Sequence, residues 1–184
     1  MRRSTPFALV LVAVALAACS PGTSADTAPP STSASTTSPP PVDGVRKAPC
    51  TGLTADQEAG LGLSPGKSIS DVGYGAHCMW PVAGYEGNLI TVGLPTLDGG
   101  GIEVILGNRA NHAYHDVVEV EGYPAVFASS VDLRSEGACT LSVGVTDELL
   151  VKVDTALPEG PDLADPCPVA ERIASAILRN LRTT

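Results

Sequence analysis

Five cysteines and one close pair of histidines are the side chains of this sequence best suited to covalent or metal chemistry. Cys19 differs from the other four cysteines. It follows Leu16-Ala17-Ala18 at the end of an apolar run that begins at Phe7, behind the basic start Met1-Arg2-Arg3. A basic n-region, an apolar core of about a dozen residues and small residues before a cleavage point make a secretory signal peptide, too short to span a bilayer as a mature helix. A cysteine placed directly after Leu-Ala-Ala resembles a bacterial lipobox. Residues 1–18 are therefore expected to be a lipoprotein signal peptide, and Cys19 the lipidated first residue of the mature chain. Arg2-Arg3 is also the pair used in twin-arginine export, and the sequence does not separate that route from the general one.

With Cys19 assigned to lipid, Cys50, Cys78, Cys139 and Cys167 remain in an exported protein, where four cysteines read as two disulfides. Their separations of 28, 61 and 28 residues, without any Cys-x-x-Cys, do not resemble a zinc ribbon. Three pairings are open to sequence arithmetic. Cys50–Cys78 with Cys139–Cys167 is the expected one, closing two loops of similar length, each stabilising by roughly 3–4 kcal/mol in the chain-entropy picture.

His112 and His115, three apart, would share a face if their segment were helical, and two imidazoles can begin a metal site. Asp116 or Glu119 would have to complete it. A polar, exposed helix end is the plainer expectation. Hydrolysis needs a nucleophile, a base and an orienting group in one pocket. Serines and aspartates are plentiful and His77 or His115 could act as base, yet Gly-x-Ser-x-Gly is absent. Gly99-Gly100-Gly101 lacks the Gly-Lys-Ser/Thr ending of a phosphate loop and reads as a turn. Asp116, Glu119 and Glu121 read as a solvated strand face, His77 and Trp80 as sheet and core. Tyr74, Tyr85, Tyr114 and Tyr123 fall in or beside expected loops, where tyrosine suits a binding surface. No catalytic residue, metal or cofactor is expected.

Charge narrows the partners. The formal charge is −9, and loss of residues 1–18 removes Arg2 and Arg3 and no acid, leaving −11. Such a chain is not built for phosphate-backbone binding or for docking on anionic headgroups through a basic patch. Stable membrane attachment would then rest on the anchor, which needs two or more acyl chains such as palmitate.

These residues must be positioned by one domain. Residues 19–45 are rich in Pro, Ser, Thr and Ala and are expected to be a disordered tether, roughly 80 Å long if fully extended and roughly 30 Å as a coil. Residues 46–184 form the globular part, large enough for a proper core. Thr54-Ala-Asp-Gln57 is a capping box opening a short helix that Gly62 and Ser64-Pro65-Gly66 stop. Ala76–Val82 and Asn88–Leu94 read as strands joined by a turn over Gly84–Gly87. Ile102, Ile105, Leu106, Arg109/Ala110 and Ala113 recur at helical spacing and suggest a middle helix over 102–113, weakened by Gly107. Asp116–Val120 and Ala125–Ser129 read as strands. Cys139–Val145 and Leu149–Asp154 alternate cleanly around Thr146-Asp147-Glu148 and make a hairpin. In the final segment Asp165 is the expected N-cap and Pro166 the first helical residue, with Val169, Ile173, Ala176, Ile177 and Leu181 on one apolar face. The fold class is α+β: a twisted antiparallel sheet with short N-terminal, middle and C-terminal helices packed on it, and two disulfides.

The lipobox, the tether, Pro49-Cys50, Leu61-Gly62, Cys78-Met79-Trp80, Gly122-Tyr123-Pro124-Ala125-Val126, Cys139-Thr140-Leu141-Ser142-Val143 and Asp165-Pro166-Cys167 together resemble the actinobacterial lipoprotein family catalogued as domain of unknown function 3558. The resemblance covers nearly the whole chain. It implies an envelope location and a disulfide framework, and no assigned activity. The layout is also similar to the extracellular sensor domains of some mycobacterial receptor kinases, a looser likeness that suggests sensing of a ligand or partner; no kinase domain is present in this chain. The expected function is a non-enzymatic binding or interaction module, held on the extracytoplasmic face of the cell membrane by its lipid, recognising an envelope protein or other envelope molecule. The alternatives are a carrier of a lipid or other small apolar ligand, and a hydrolase with an unrecognised site.

Overall fold

The computed structural model describes residues 42–71, 75–97 and 100–183. Seven strands make one antiparallel sheet: β1 (Lys67–Asp71), β2 (Gly75–Pro81), β3 (Leu89–Gly93), β4 (Tyr114–Val120), β5 (Tyr123–Ser129), β6 (Ala138–Gly144) and β7 (Leu150–Ala156). Their order across the sheet is β1-β2-β3-β7-β6-β5-β4. The chain thus lays down three strands as a meander, crosses to the far edge, and returns by a second meander until β7 pairs with β3. Four helices accompany it: α1 (Asp43–Lys47), α2 (Ala55–Gly60), α3 (Gly101–Leu106) and α4 (Cys167–Thr183). The α+β class and the two disulfides are as the sequence implies.

Period-two alternation sorts the side chains between the two faces of the sheet. Ile90 and Val92 of β3, Leu141 and Val143 of β6, and Val151 and Val153 of β7 point to one side and are fully buried. The apolar stripe of α4 covers them. Val169, Ile173, Ala176, Ile177 and Leu181 all lie in this layer as their spacing predicts, joined by Ala170, Ala174 and Leu178. Thr155 is the polar residue among them, and its hydroxyl is satisfied by accepting from the Cys139 amide (2.8 Å) and donating to the Gly137 carbonyl (3.2 Å). On the opposite face, Ile102 of α3 packs with Val126, Ala128 and Leu150, and Ile105 and Leu106 lie alongside.

The Thr54 capping box forms in full. The Thr54 hydroxyl accepts from the Gln57 amide (3.3 Å) and the Gln57 side chain accepts from the Thr54 amide (2.9 Å). Gln57 also exchanges hydrogen bonds with Asn180 of α4, which donates in turn to the Gly52 carbonyl (2.8 Å). One short motif therefore caps α2 and ties it to the far end of the chain. α1 straddles the composition change at Arg46, and Val42 and Val45 pack against the core.

Three expectations need correction. The middle helix ends at Leu106, with the Gly107 amide bonded to Glu103 (2.9 Å); a single 3-10 turn over Arg109–Asn111 follows, and the chain enters β4 at Tyr114. Helical spacing continues past Gly107, but Tyr114 and His115 gain burial as strand residues. The last helix starts one residue later than expected: the Pro166 carbonyl accepts from the Val169 and Ala170 amides, so Pro166 takes the capping place expected for Asp165, and Cys167 is the first helical residue. The strand β1 has no counterpart among the expected elements, since Lys-Ser-Ile-Ser-Asp carries one apolar residue.

Replacing Ile177 by alanine in this layer should lower unfolding free energy by about 2–5 kcal/mol. Val104→Ala, on the exposed side of α3, should stay within about 0.5 kcal/mol; urea titration of both variants tests the contrast.

Candidate functional site

The cysteines sit where local structure delivers them. Cys50 lies in a 3-10 turn over Pro49–Gly52 and pairs with Cys78 of β2; Cys139 is the second residue of β6 and pairs with Cys167 in the first turn of α4. The Cα separations, 4.9 and 5.2 Å, are ordinary for the bond. Beside the first disulfide, the buried Trp80 indole donates to the Glu58 carboxylate of α2 (2.6 Å), which also accepts from the Gly66 amide (3.4 Å). Gly66 is required there: a Cβ at that position would stand 2.5 Å from Trp80 Nε1 and 2.6 Å from Cys78 Sγ. Cys19 lies outside the described residues.

His112 and His115 do meet, with ring centroids 5.6 Å apart, but across a turn rather than along a helix. His112 follows the 3-10 turn and its Nδ1 is 2.9 Å from the Asn108 carbonyl. His115 belongs to β4, is buried rather than exposed, and sets Nε2 3.0 Å from the Ile105 carbonyl at the end of α3. Asp116, the nearest candidate third ligand, turns to Arg134, and among the described residues no group of three His, Cys, Asp or Glu side chains is placed to hold a metal. His77 is a buried residue of β2, and Trp80 is core.

The acidic stretch is divided among three environments. Asp116 pairs with Arg134 (3.2 Å), Glu119 is exposed, and Glu121 occupies a turn with φ 52°, where it pairs with Arg179 (2.6 Å) and more distantly with Arg182 (4.0 Å). Arg134 is the centre of a cluster that sequence reasoning missed. It grips Asp132 through Nε (2.9 Å) and Nη2 (2.7 Å), reaches Asp116, and lies 4.3 Å above the Tyr114 ring. These hydrogen bonds pull the Asp132 carboxyl down to about 2 and raise the Arg134 guanidinium above its usual value. The Arg134 amide also donates to Asp132 Oδ1 (3.2 Å), a local turn that Asp-x-Arg spacing could have signalled. Asp116 and Tyr114 become neighbours only through the β4–β5 hairpin.

The tyrosines do not converge. Tyr114 and Tyr123 lie at opposite ends of the β4–β5 hairpin, Tyr85 packs against Gly160 at the β2–β3 end of the sheet, and Tyr74 lies outside the described residues. Of the triple glycine, Gly100 and Gly101 turn the chain into α3, with Gly101 packed against the Asp147 carbonyl; Gly99 is outside the described residues. A groove of about 470 Å³ runs along the solvent side of α4 between Leu61, Pro168, Glu171, Arg172, Ser175 and Arg179.

What these observations define is a disulfide-stapled α+β domain, one meander laid against another and roofed by a C-terminal helix. A family model described as Protein of unknown function (DUF3558) matches residues 14–180, and the chain belongs to that family. No curated protein matches it in sequence.

The Arg134 cluster makes a titration measurable. Asp132 titrates lower in the folded chain than its ordinary 3.8, so its contribution to stability is present above that value and lost as pH falls through about 2. In an Arg134→Ala variant, carboxyl NMR should show the Asp132 midpoint returning to near 3.8; a midpoint still near 2 would mean another group holds it.

Proposed function

We propose that the chain is an envelope lipoprotein anchored through Cys19, and that its domain is a non-enzymatic module recognising a protein or another envelope molecule. The observation that carries this reading is the cysteine ledger. The four cysteines of the domain pair with one another, so Cys19, the residue directly after Leu16-Ala17-Ala18, stands outside the disulfide framework and is open to another covalent fate. Two disulfides in one small domain also suit an oxidising, extracytoplasmic compartment. No helix among the described residues is long and apolar enough to cross a membrane.

Recognition is preferred to catalysis because several of the charged side chains the sequence offers are engaged within the fold. Asp116 and Asp132 hold Arg134, Glu121 holds Arg179, and Glu58 holds the Trp80 indole.

Cys19→Ala should move the protein from the membrane fraction to the soluble fraction on fractionation of the producing cells, with the domain still folded; unchanged partition would remove the lipid anchor from the reading. Native mass spectrometry of the protein isolated gently from its own envelope separates the roles. A lipid bound at fixed stoichiometry would favour a carrier, and a bare domain mass would favour protein recognition.

A further inference from the structure

The sheet has two edges, and they are protected unequally. β1 is short and begins at Lys67, directly after Pro65-Gly66, and a lysine is a residue that blunts an edge. β4 is seven residues, Tyr-His-Asp-Val-Val-Glu-Val, with no Lys and no Pro. Its Val117 is the most exposed large apolar side chain of the described residues, at 63 %.

Which backbone groups of β4 face outward follows from Pro124. Glu119 lies opposite Pro124, and proline has no N–H to give, so this is a non-hydrogen-bonded pair and the Glu119 amide and carbonyl point away from β5. His115 and Val117 share that direction. The two-residue turn Glu121-Gly122, with φ 52° and 80°, fits the same phase by making Val120 and Tyr123 the closing hydrogen-bonded pair. Arg109 is compatible with it, since its Nη1 donates to the His115 carbonyl (2.8 Å), an oxygen this phase leaves unpaired by β5.

We propose that this edge pairs antiparallel with the same edge of a second copy of the chain, about a two-fold axis at Val117, joining two sheets into one. In this register Val117 faces Val117 of the second copy, and His115 faces Glu119 of the second copy, with Glu119 facing the second copy's His115 in return. The outward amides and carbonyls of all three residues then find partners, and the most exposed apolar side chain is covered by its own equivalent.

Charge complementarity selects a second copy over an unrelated strand. Asp116 and Glu121 are already paired within the chain, whereas Glu119 has no ion pair among the described residues. Arg109 has no carboxylate partner among them either, only the His115 carbonyl. The two-fold register sets Glu119 of one copy opposite His115 of the other, beside the guanidinium that rests on the His115 carbonyl. Each copy thus supplies the counter-ion the other lacks, twice per dimer. The His115 oxygen has a second lone pair for the incoming amide.

The test uses the mature chain with Cys19→Ser, so that lipid does not aggregate it, followed by sedimentation equilibrium across a wide concentration range. The wild-type edge should give a dimer. Val117→Pro removes an outward N–H without touching the bonds to β5, and should leave a folded monomer by circular dichroism. Arg109→Glu or Glu119→Lys alone should weaken association roughly tenfold, and the two together should restore it. A monomeric wild type, a dimer that survives Val117→Pro, or a double charge reversal that restores nothing overturns the proposal. Because lipid is absent throughout, none of these outcomes depends on whether Cys19 is the anchor.

Discussion

The two meanders meet along one line, where β3 lies antiparallel to β7. Val92 faces Val153 and Ile90 faces Thr155 across it, some sixty residues apart in the chain. Neither disulfide crosses this seam. Cys50–Cys78 staples the N-terminal turn to β2 within the first meander, and Cys139–Cys167 staples α4 to β6 within the second. Each shortens a local loop in the unfolded chain, while the long-range closure is left to non-covalent contacts. The seam rests on the β3–β7 hydrogen-bond ladder, on Asn88, whose side chain exchanges hydrogen bonds with the Glu159 backbone, and on apolar packing, with α4 laid over β6 and β7 and tied by Asn180 to Gln57 and Gly52 of the first half. Each meander is thus built from near neighbours in sequence, and joining them closes a long loop whose entropy the β3–β7 contact must offset.

The features legible in the sequence are those whose physics is local. The capping box at Thr54, the alternation of β6 and β7, and the apolar stripe of α4 each specify their element within one short window, and each forms as written. β1 was not legible because an edge strand made of Lys, Ser, Ile and Asp carries the composition of a loop; its identity comes from pairing with β2. The middle helix was overread because periodicity persists after Gly107 while burial there favours a strand. His112 and His115 then reach each other by a route that helical geometry does not describe. The Arg134 cluster was hidden for a topological reason: its members come from β4 and from the loop before β6, and only the β4–β5 hairpin brings them together. The proposed lipid site is the opposite case: it is read from four consecutive residues, Leu16-Ala17-Ala18-Cys19, which lie outside the described residues.

Net charge is a poor guide to where charges act in this fold. The chain is acidic overall, yet Arg134, Arg172, Arg179 and Arg182 are each matched with carboxylates on the surface. Such exposed pairs contribute little stability individually. Their effect is to remove the local excess of either sign, so that the unmatched acids spread over the rest of the surface set the field. Trp80 shows the other use of a carboxylate. Glu58 satisfies a fully buried indole N–H that the core cannot, and so lets the largest side chain of the sheet sit beside a disulfide at no cost in unpaired donors.

In the anchored arrangement proposed for this chain, acidity and tether length act together. An acidic domain held close to anionic headgroups would be repelled, and the repulsion decays over roughly 8 Å at physiological ionic strength. A Pro/Ser/Thr segment of the length between Cys19 and the first described helix would span roughly 30 Å if it behaved as a coil, several screening lengths. In that proposed arrangement the bilayer would exert little electrostatic torque on the domain. Orientation must then come from the domain's own contacts. In the proposed pairing, an edge strand with matched requirements for backbone, valine and counter-ion supplies directional contacts of that kind. The proposed anchor and the proposed self-matching sheet edge are therefore mutually consistent: the first would confine the domain to a plane, and the second would fix how two domains face one another.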